Sequence, residues 1–332
     1  MNGTDTDGRS IWKPMRRGSG PLAAAVIVAL GVAASIDFVN GRRDDGPKQG
    51  AAKRTTLSAR EARPPSLVAA VRRDGTAVVV RDLRTGADAG VTVAAPAGAR
   101  FHQIAREPGG GYLVSAYAAG EVTFHRLRLD SAGRPRDLTA LPRVRLRGES
   151  SAASDMAVAG DGRIAYVTYS RGRPRIEVLP VGNGVPRTWT TPATGRIGGL
   201  SWSGDTLSYV WRQRSVRTLD TASREDDLRT GEAVLTLPTG ATEALFGRNA
   251  QTFVTAVGSQ TGLSVEEYTA ATGQRAGTRW QQRLDVRARI DRLARDRTGT
   301  HLLVGTADGR LFAGLPGGTR ELAAPDLGDL AW

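Results

Sequence analysis

The chain has 332 residues, 40% hydrophobic and 24% charged, with 41 glycines and 16 prolines spread among short apolar runs. That composition favours a large all-β domain rich in turns over collagen-like or disordered repetition, and the absence of cysteine excludes disulfides, thiolate metal sites and thiol nucleophiles. The net charge of +13 does not by itself mark a nucleic-acid binder: Lys13, Lys48 and Lys53 lie in the amino-terminal segment, and the later arginines are scattered as pairs such as Arg126/Arg128 and Arg287/Arg289, without a clustered phosphate-tracking surface.

Residues 1–20 form a short basic tail. Residues 21–39, PLAAAVIVALGVAASIDFV, follow as an apolar run with Asp37 as its charged residue, just long enough for a transmembrane helix with Asp37 at the interface. The alternative is a cleaved signal peptide, with Val32, Ala33 and Ala34 offering small residues near Ala34 for cleavage and a secreted product. Basic residues flank the run on both sides, so orientation rests on the usual translocation of a long domain after a basic leader, which places the rest of the chain outside the membrane. Residues 40–65 are polar, breaker-rich and without apolar period, as a flexible linker requires.

From residue 66 to 332 a strand–turn–strand pattern recurs. Its first strands are anchored on Ile104, Met156, Leu200, Ala244, Leu293 and Leu330, at spacings that bracket the ~40–45 residues of a four-stranded propeller blade. Second strands follow as YLVSAY, IAYVTY, TLSYVW, TFVTAV and HLLVGT, and third strands as 122–127, 176–179, 216–219, 265–268 and 311–313. More polar fourth strands are expected at 91–93, 187–191 and 233–237. The sixth copy, Asp329, Leu330, Ala331 and Trp332, has no second strand after it, whereas the runs 66–71 and 77–81 have no first strand before them. The expected architecture is therefore an all-β, six-bladed β-propeller, closed by pairing its terminal strands and preceded by one amino-terminal transmembrane helix.

The segments 156–165 (MAVAGDGRIA) and 199–208 (GLSWSGDTLS) resemble the WD40-like and TolB-like β-propeller superfamily, here of a membrane-anchored bacterial type. The resemblance spans most of 67–332 through degenerate copies that lack the Gly-His and Trp-Asp dipeptides of strict WD40 repeats. It implies a scaffold, usually for binding, and transfers no specific activity.

No catalytic residue and no cofactor is assigned. There is no phosphate-binding Gly-x-x-x-x-Gly-Lys, and 258–262 (GSQTG) has neither the residue order nor the following helix of a serine elbow, so it reads as a hairpin loop. His102, His125 and His301 lack metal-ligand spacing, and Glu225, Asp226 and Asp227 read as a solvated loop. Directly before the anchors stand Gln103, Asp155, Gly199, Glu243, Arg292 and Asp329, with Asp291 beside Arg292. In a propeller the innermost strands surround the channel, so Asp155, Glu243, Asp291 and Asp329 are candidates to converge at one mouth, where hard oxygen ligands suit Ca²⁺ or Mg²⁺. The same carboxylates can instead cap the turns entering each first strand or pair with neighbouring arginines. The expected function is a membrane-anchored, extracytoplasmic, monomeric binding module for a protein, peptide or envelope polymer on its loop face. The alternative is a metal-dependent propeller hydrolase or lactonase using the acidic channel mouth.

Overall fold

The computed structural model describes residues 64–332, apart from 181–183, 249 and 316–317. The tail at 1–20, the apolar run at 21–39 with its alternative cleavage near Ala34, and all but the end of the 40–65 linker lie outside the described residues. Among the described residues, no helix is long and apolar enough to cross a membrane.

The described chain builds six four-stranded antiparallel sheets, the blades of a β-propeller. Blade 1 holds β1 (Leu67–Arg72), β2 (Ala77–Asp82) and β3 (Val93–Ala94). Blade 2 holds β4 (Arg100–Arg106), β5 (Tyr112–Ala118), β6 (Glu121–Leu129) and β7 (Pro135–Arg147). Blade 3 is β8 (Met156–Val158), β9 (Ile164–Ser170), β10 (Arg173–Leu179) and β11 (Arg187–Trp189). Blade 4 is β12 (Ile197–Ser203), β13 (Thr206–Trp211), β14 (Ser215–Asp220) and β15 (Glu232–Thr236). Blade 5 is β16 (Ala244–Phe246), β17 (Thr252–Gly258), β18 (Gly262–Thr269) and β19 (Arg275–Arg283). Blade 6 is β20 (Ile290–Arg295), β21 (Leu302–Thr306), β22 (Arg310–Leu315) and β23 (Gly318–Ala323). The last strand, β24 (Leu327–Ala331), returns to blade 1 and pairs with β1, Ala70 opposite Leu330 and Ala69 opposite Ala331. The six-bladed reading and its closure by the two ends of the repeat region are thus observed.

Each second strand is an apolar run because both faces of a blade are covered by neighbouring blades. Leu113 and Val114 of β5, Ala165, Tyr166 and Val167 of β9, and Leu303 and Val304 of β21 are all fully buried. The hydrophobic core is accordingly divided among the six blade interfaces. Blades 3 and 4, for instance, share a cluster that includes Trp189, Ile176, Tyr209 and Leu207, and blades 6 and 1 one that includes Leu303, Leu311, Val79, Leu330 and Trp332. The outer strands meet water on one edge and read differently. In β19 every residue is exposed or half-buried, and the expected outer strand of blade 1 shrinks to two residues because Val91 turns out to solvent. Thr190 also leaves its expected strand: its amide N–H donates to the carbonyl oxygen of Asp226 at 2.8 Å, and its carbonyl accepts from Leu228 at 2.8 Å. The acidic loop at 225–227 therefore ties blade 3 to blade 4, and Asp227 caps the short 3-10 turn Leu228–Thr230. The segment 258–262 is the hairpin expected, with the Ser259 N–H donating to the Gly262 carbonyl at 2.8 Å.

The closing blade carries a polar seam as well as an apolar one. Asp326, just before β24, accepts from both terminal nitrogens of Arg81 at 2.9 Å and also pairs with Arg72, while Asp88 accepts from Arg81 at 2.8 Å and from Arg72 at 2.7 Å. Hydrogen bonding from Arg81 holds the Asp326 carboxyl below its ordinary pKa, and the same bond raises that of Arg81.

Deleting residues 326–332 from the full-length chain removes β24, this seam, and the buried side chains of Leu327, Leu330 and Trp332. At about 1.5–3 kcal/mol per large buried side chain, the loss is on the order of 5 kcal/mol or more. Thermal unfolding should show a large fall in melting temperature, and a truncation that melts like the parent would contradict the closure described here.

Candidate functional site: the ring of polar residues around the channel

An innermost strand has a sheet partner on one side and the channel on the other, so part of its backbone N–H and C=O array lacks a ladder partner. Side chains from the preceding blade supply acceptors. Asp329 of β24 accepts the Ile104 N–H of β4 at 2.7 Å. Asp155, just before β8, accepts the Leu200 N–H of β12 at 2.9 Å, and Glu243, just before β16, accepts the Leu293 N–H of β20 at 2.8 Å. Each acid precedes the anchor of its own blade and reaches the anchor of the next. Acids on blades 1, 3 and 5 thereby latch blades 2, 4 and 6.

The alternate positions of the ring are Gln103, Gly199 and Arg292. Gly199 has φ +62°, and a Cβ there would come within 2.8 Å of the Ala244 carbonyl oxygen, so blade 4 can place no side chain at this level. The blade 4 to blade 5 contact uses its neighbour instead: Ser201 Oγ accepts the Phe246 N–H at 3.1 Å. Between blades 2 and 3 the link is a hydroxyl chain, in which Tyr166 Oη lies 2.6 Å from Ser150 Oγ and 3.1 Å from Ser115 Oγ, and Ser150 Oγ lies 2.8 Å from His102 Nδ1.

Arg292 is the cation of the ring. Its guanidinium lies 3.3 Å from Asp329 and 3.7 Å from Glu243, and it donates to the Ala152 carbonyl of blade 3 at 2.7 Å. Burial opposes its charge, but attraction to Asp329, Glu243, Asp291 and Asp155 outweighs that penalty and raises its pKa. The acids respond in the reverse sense. Burial pushes Glu243 up to about 8 and Asp329 up to about 6 against the pull of Arg292, and burial also raises Asp155.

Of the four acids singled out in the sequence, three converge here. Asp291 does not join them: it borders a small crevice formed with Gly305, Thr306 and Gly309, with its carboxylate 3.9 Å from Arg292. Asp155, Glu243 and Asp329 each spend an oxygen on a backbone N–H; Glu243 and Asp329 also pair with the Arg292 guanidinium, which attracts Asp155 from farther away. Among the described residues, no group of three or more His, Asp or Glu side chains is placed to hold a metal ion.

The histidines do not all fall in different blades, as their sequence positions suggested: His102 on β4 and His125 on β6 share blade 2, and His301 lies in the β20–β21 turn of blade 6. His102 stacks on Tyr117, and His125 packs edge-on against Phe101. His301 Nδ1 lies 3.0 Å from Asp296, whose carboxylate also accepts the backbone N–H groups of Thr300 at 3.0 Å and His301 at 3.1 Å, fixing the turn from β20 to β21. This buried His–Asp pair escaped the sequence reading, although the two residues flank a Thr-Gly turn only five positions apart.

Below the ring, a cavity of about 440 Å³ is lined by all six innermost strands and runs to their ends at Arg106, Arg295 and Trp332. No protein-family model matches the sequence, and no curated relative does. Among solved structures, a protein of unknown function from Bacteroides caccae is similar at 10% identity, covering 81% of this chain and 98% of its own, with a TM-score of 0.49. The Cps50 (Swd1) β-propeller domain of Myceliophteria thermophila is similar at 14% identity, covering 80% of this chain and 86% of its own, with a TM-score of 0.47. At these identities the likeness concerns the fold and carries nothing about activity.

Removing an acceptor from a buried N–H costs about 1–3 kcal/mol. Asp329→Ala in the full-length chain should therefore lower stability by about that amount, and Asp329→Asn, which keeps an acceptor, by less. Equal losses in denaturant titrations would show that the Ile104 bond is not what Asp329 contributes.

The raised Glu243 pKa fixes a pH dependence. Between its ordinary 4.5 and about 8 the native state holds a proton that the unfolded chain has released, so this stabilisation is complete below the first value and is lost as pH rises through the second. Burial lowers the pKa of His102 and His125, which acts in the opposite sense below about pH 7. Above that pH the histidines no longer contribute, and the raised carboxyls of Glu243 and Asp155 act in the same sense. The melting temperature should fall from about pH 7 to about pH 9, with a shallower slope in Glu243→Gln; identical slopes would contradict the assignment.

Proposed function

We propose that the chain is a binding module rather than a metal-dependent hydrolase, of the membrane-anchored WD40-like/TolB-like propeller type, with its propeller on the extracytoplasmic side. The observation that carries the first part is the use of the channel carboxylates. A metal-dependent hydrolytic site needs carboxylate oxygens free to hold a metal ion, whereas Asp155, Glu243 and Asp329 each accept a neighbouring backbone N–H and are attracted to Arg292. The propeller offers instead two loop faces on a rigid scaffold, where a protein, peptide or envelope polymer can dock. The anchoring and placement rest on the apolar run at 21–39 and the basic leader before it.

Two measurements test this reading. The melting temperature of the full-length chain should be unchanged by Ca²⁺ or Mg²⁺; stabilisation growing with ion concentration would favour a metal site, since a ligand that binds only the native state stabilises by mass action. In intact cells, added protease should digest the propeller while a cytoplasmic control survives, and full protection would overturn the extracytoplasmic placement.

A further inference from the structure

Arginines that are scattered in the sequence of blades 2, 3 and 4 come together on one face of the propeller. In each blade the turn between the second and third strands and the connection to the next blade leave from the same end, opposite the end that holds Arg106, Arg295 and Trp332. At that end β7 finishes with Arg143, Arg145 and Arg147, the β9–β10 turn carries Arg171 and Arg173, and the β13–β14 turn carries Arg212 and Arg214. The blades touch here. Arg175 donates to the Arg147 carbonyl at 2.6 Å, and Arg212 donates at 3.0 Å to the carbonyl of Thr194, in the connection from blade 3 to blade 4. Residues 143–149, 171–175 and 212–214 together hold eight arginines and one acid, Glu149.

Few of these charges are neutralised. Arg145 lies 3.3 Å from Glu121 and Arg175 lies 3.5 Å from Glu177, but the side chains of Arg143, Arg147, Arg171, Arg173 and Arg214 are exposed, without a hydrogen-bond or ion-pair partner among the described residues. At the opposite ends of blades 3 and 4, by contrast, Arg163 sits 2.7 Å from both Asp161 and Asp205, and Arg229 lies 2.6 Å from Asp227. Two of the turn arginines also stand where the backbone disfavours a side chain. Arg171 and Arg212 both have φ +52°, the left-handed region that glycine and asparagine adopt most readily. A two-residue hairpin turn of this kind most often carries Asn-Gly, where this chain has Arg171 and Gly172. Backbone strain kept at an exposed turn, for the sake of a free guanidinium, points to a use for that charge.

We infer that this arc of arginines is the docking surface for a linear acidic polysaccharide, an assignment that rests on the chain being an extracytoplasmic binding module. Positive charges repeated across three blades match carboxylates repeated along a polymer, and a guanidinium holds a carboxylate through two parallel hydrogen bonds. Each exposed pair is weak alone, but pairs on one polymer reinforce each other because the first contact raises the local concentration for the next. The face is poorly suited to a lipid surface. The exposed large hydrophobic residues among the described ones, Val91, Val185 and Val286, all lie outside these segments, so no apolar side chain accompanies the charge into lipid. The chain enters the propeller at Leu67, at the opposite end of blade 1, and this entry leaves the arginine face open.

Binding of the purified full-length chain to polygalacturonate, with dextran as the uncharged comparison, tests the surface; the outcome is independent of membrane side, which protease digestion of intact cells reads separately. Polygalacturonate should bind and dextran should not, and binding should weaken as salt is raised. Arg171→Asn combined with Arg173→Gln should weaken it about threefold or more, with the melting temperature unchanged or raised, because asparagine accepts the backbone conformation of Arg171. Arg134→Gln combined with Arg224→Gln removes the same charge from exposed turns of the other face and should leave binding within about twofold of the parent. If the first pair does not fold, Arg147→Gln combined with Arg214→Gln serves in its place. Absence of polygalacturonate binding, or equal weakening by the pairs from the two faces, overturns the proposal. So does a preference for phosphatidylglycerol over phosphatidylcholine vesicles that the Arg171 and Arg173 substitutions abolish while polygalacturonate stays unbound, a result that would give the face to a bilayer.

Discussion

The inner edge of every blade poses the same problem: an edge strand lines the channel and lacks a ladder partner for part of its backbone N–H array. In half of the ring the answer is a carboxylate reaching one blade onward, from Asp329 to Ile104, from Asp155 to Leu200 and from Glu243 to Leu293. These bonds run across the blade interfaces, at the narrow end of the apolar clusters that form the core. They do in polar terms what the clusters do in apolar terms, fixing each blade to the next. Gathering three acids in one channel would be repulsive without a cation, and Arg292 fills that role while tying blade 6 to blades 1, 3 and 5.

That arrangement shapes what the channel can do. Carboxylates used as latches commit an oxygen to a neighbouring blade, and the raised pKa values of Glu243 and Asp329 express their burial. Perturbed pKa values mark functional sites only on balance, because structural ion networks perturb them too.

Much of the architecture was legible in the sequence because the two faces of each blade impose it. Burial on both sides makes second strands such as YLVSAY and TLSYVW continuously apolar, and an innermost strand that must pack narrow-end inward repeats an apolar anchor at blade spacing. The ring was legible for the same reason, since the residue before an anchor falls at one level in every blade. Asp291 was grouped with it by sequence proximity alone, yet neighbouring residues of a strand point to opposite sides, and a register shift between Ile290 and Arg292 gives the ring position to Arg292. The seam of Arg72 and Arg81 with Asp88 and Asp326 was out of reach, since it joins side chains 245 positions apart. So were the Asp227 cap and the His301–Asp296 pair, which depend on how particular turns fold.

The account stands on the claim that ring carboxylates, not water, satisfy the channel-side amides. Amide hydrogen exchange resolved at Ile104, Leu200 and Leu293 tests it most directly. All three should exchange as slowly as the amides of the buried second strands, and Asp155→Ala should selectively speed Leu200. Fast exchange at these three amides in the unaltered protein, or no selective change at Leu200, would contradict it.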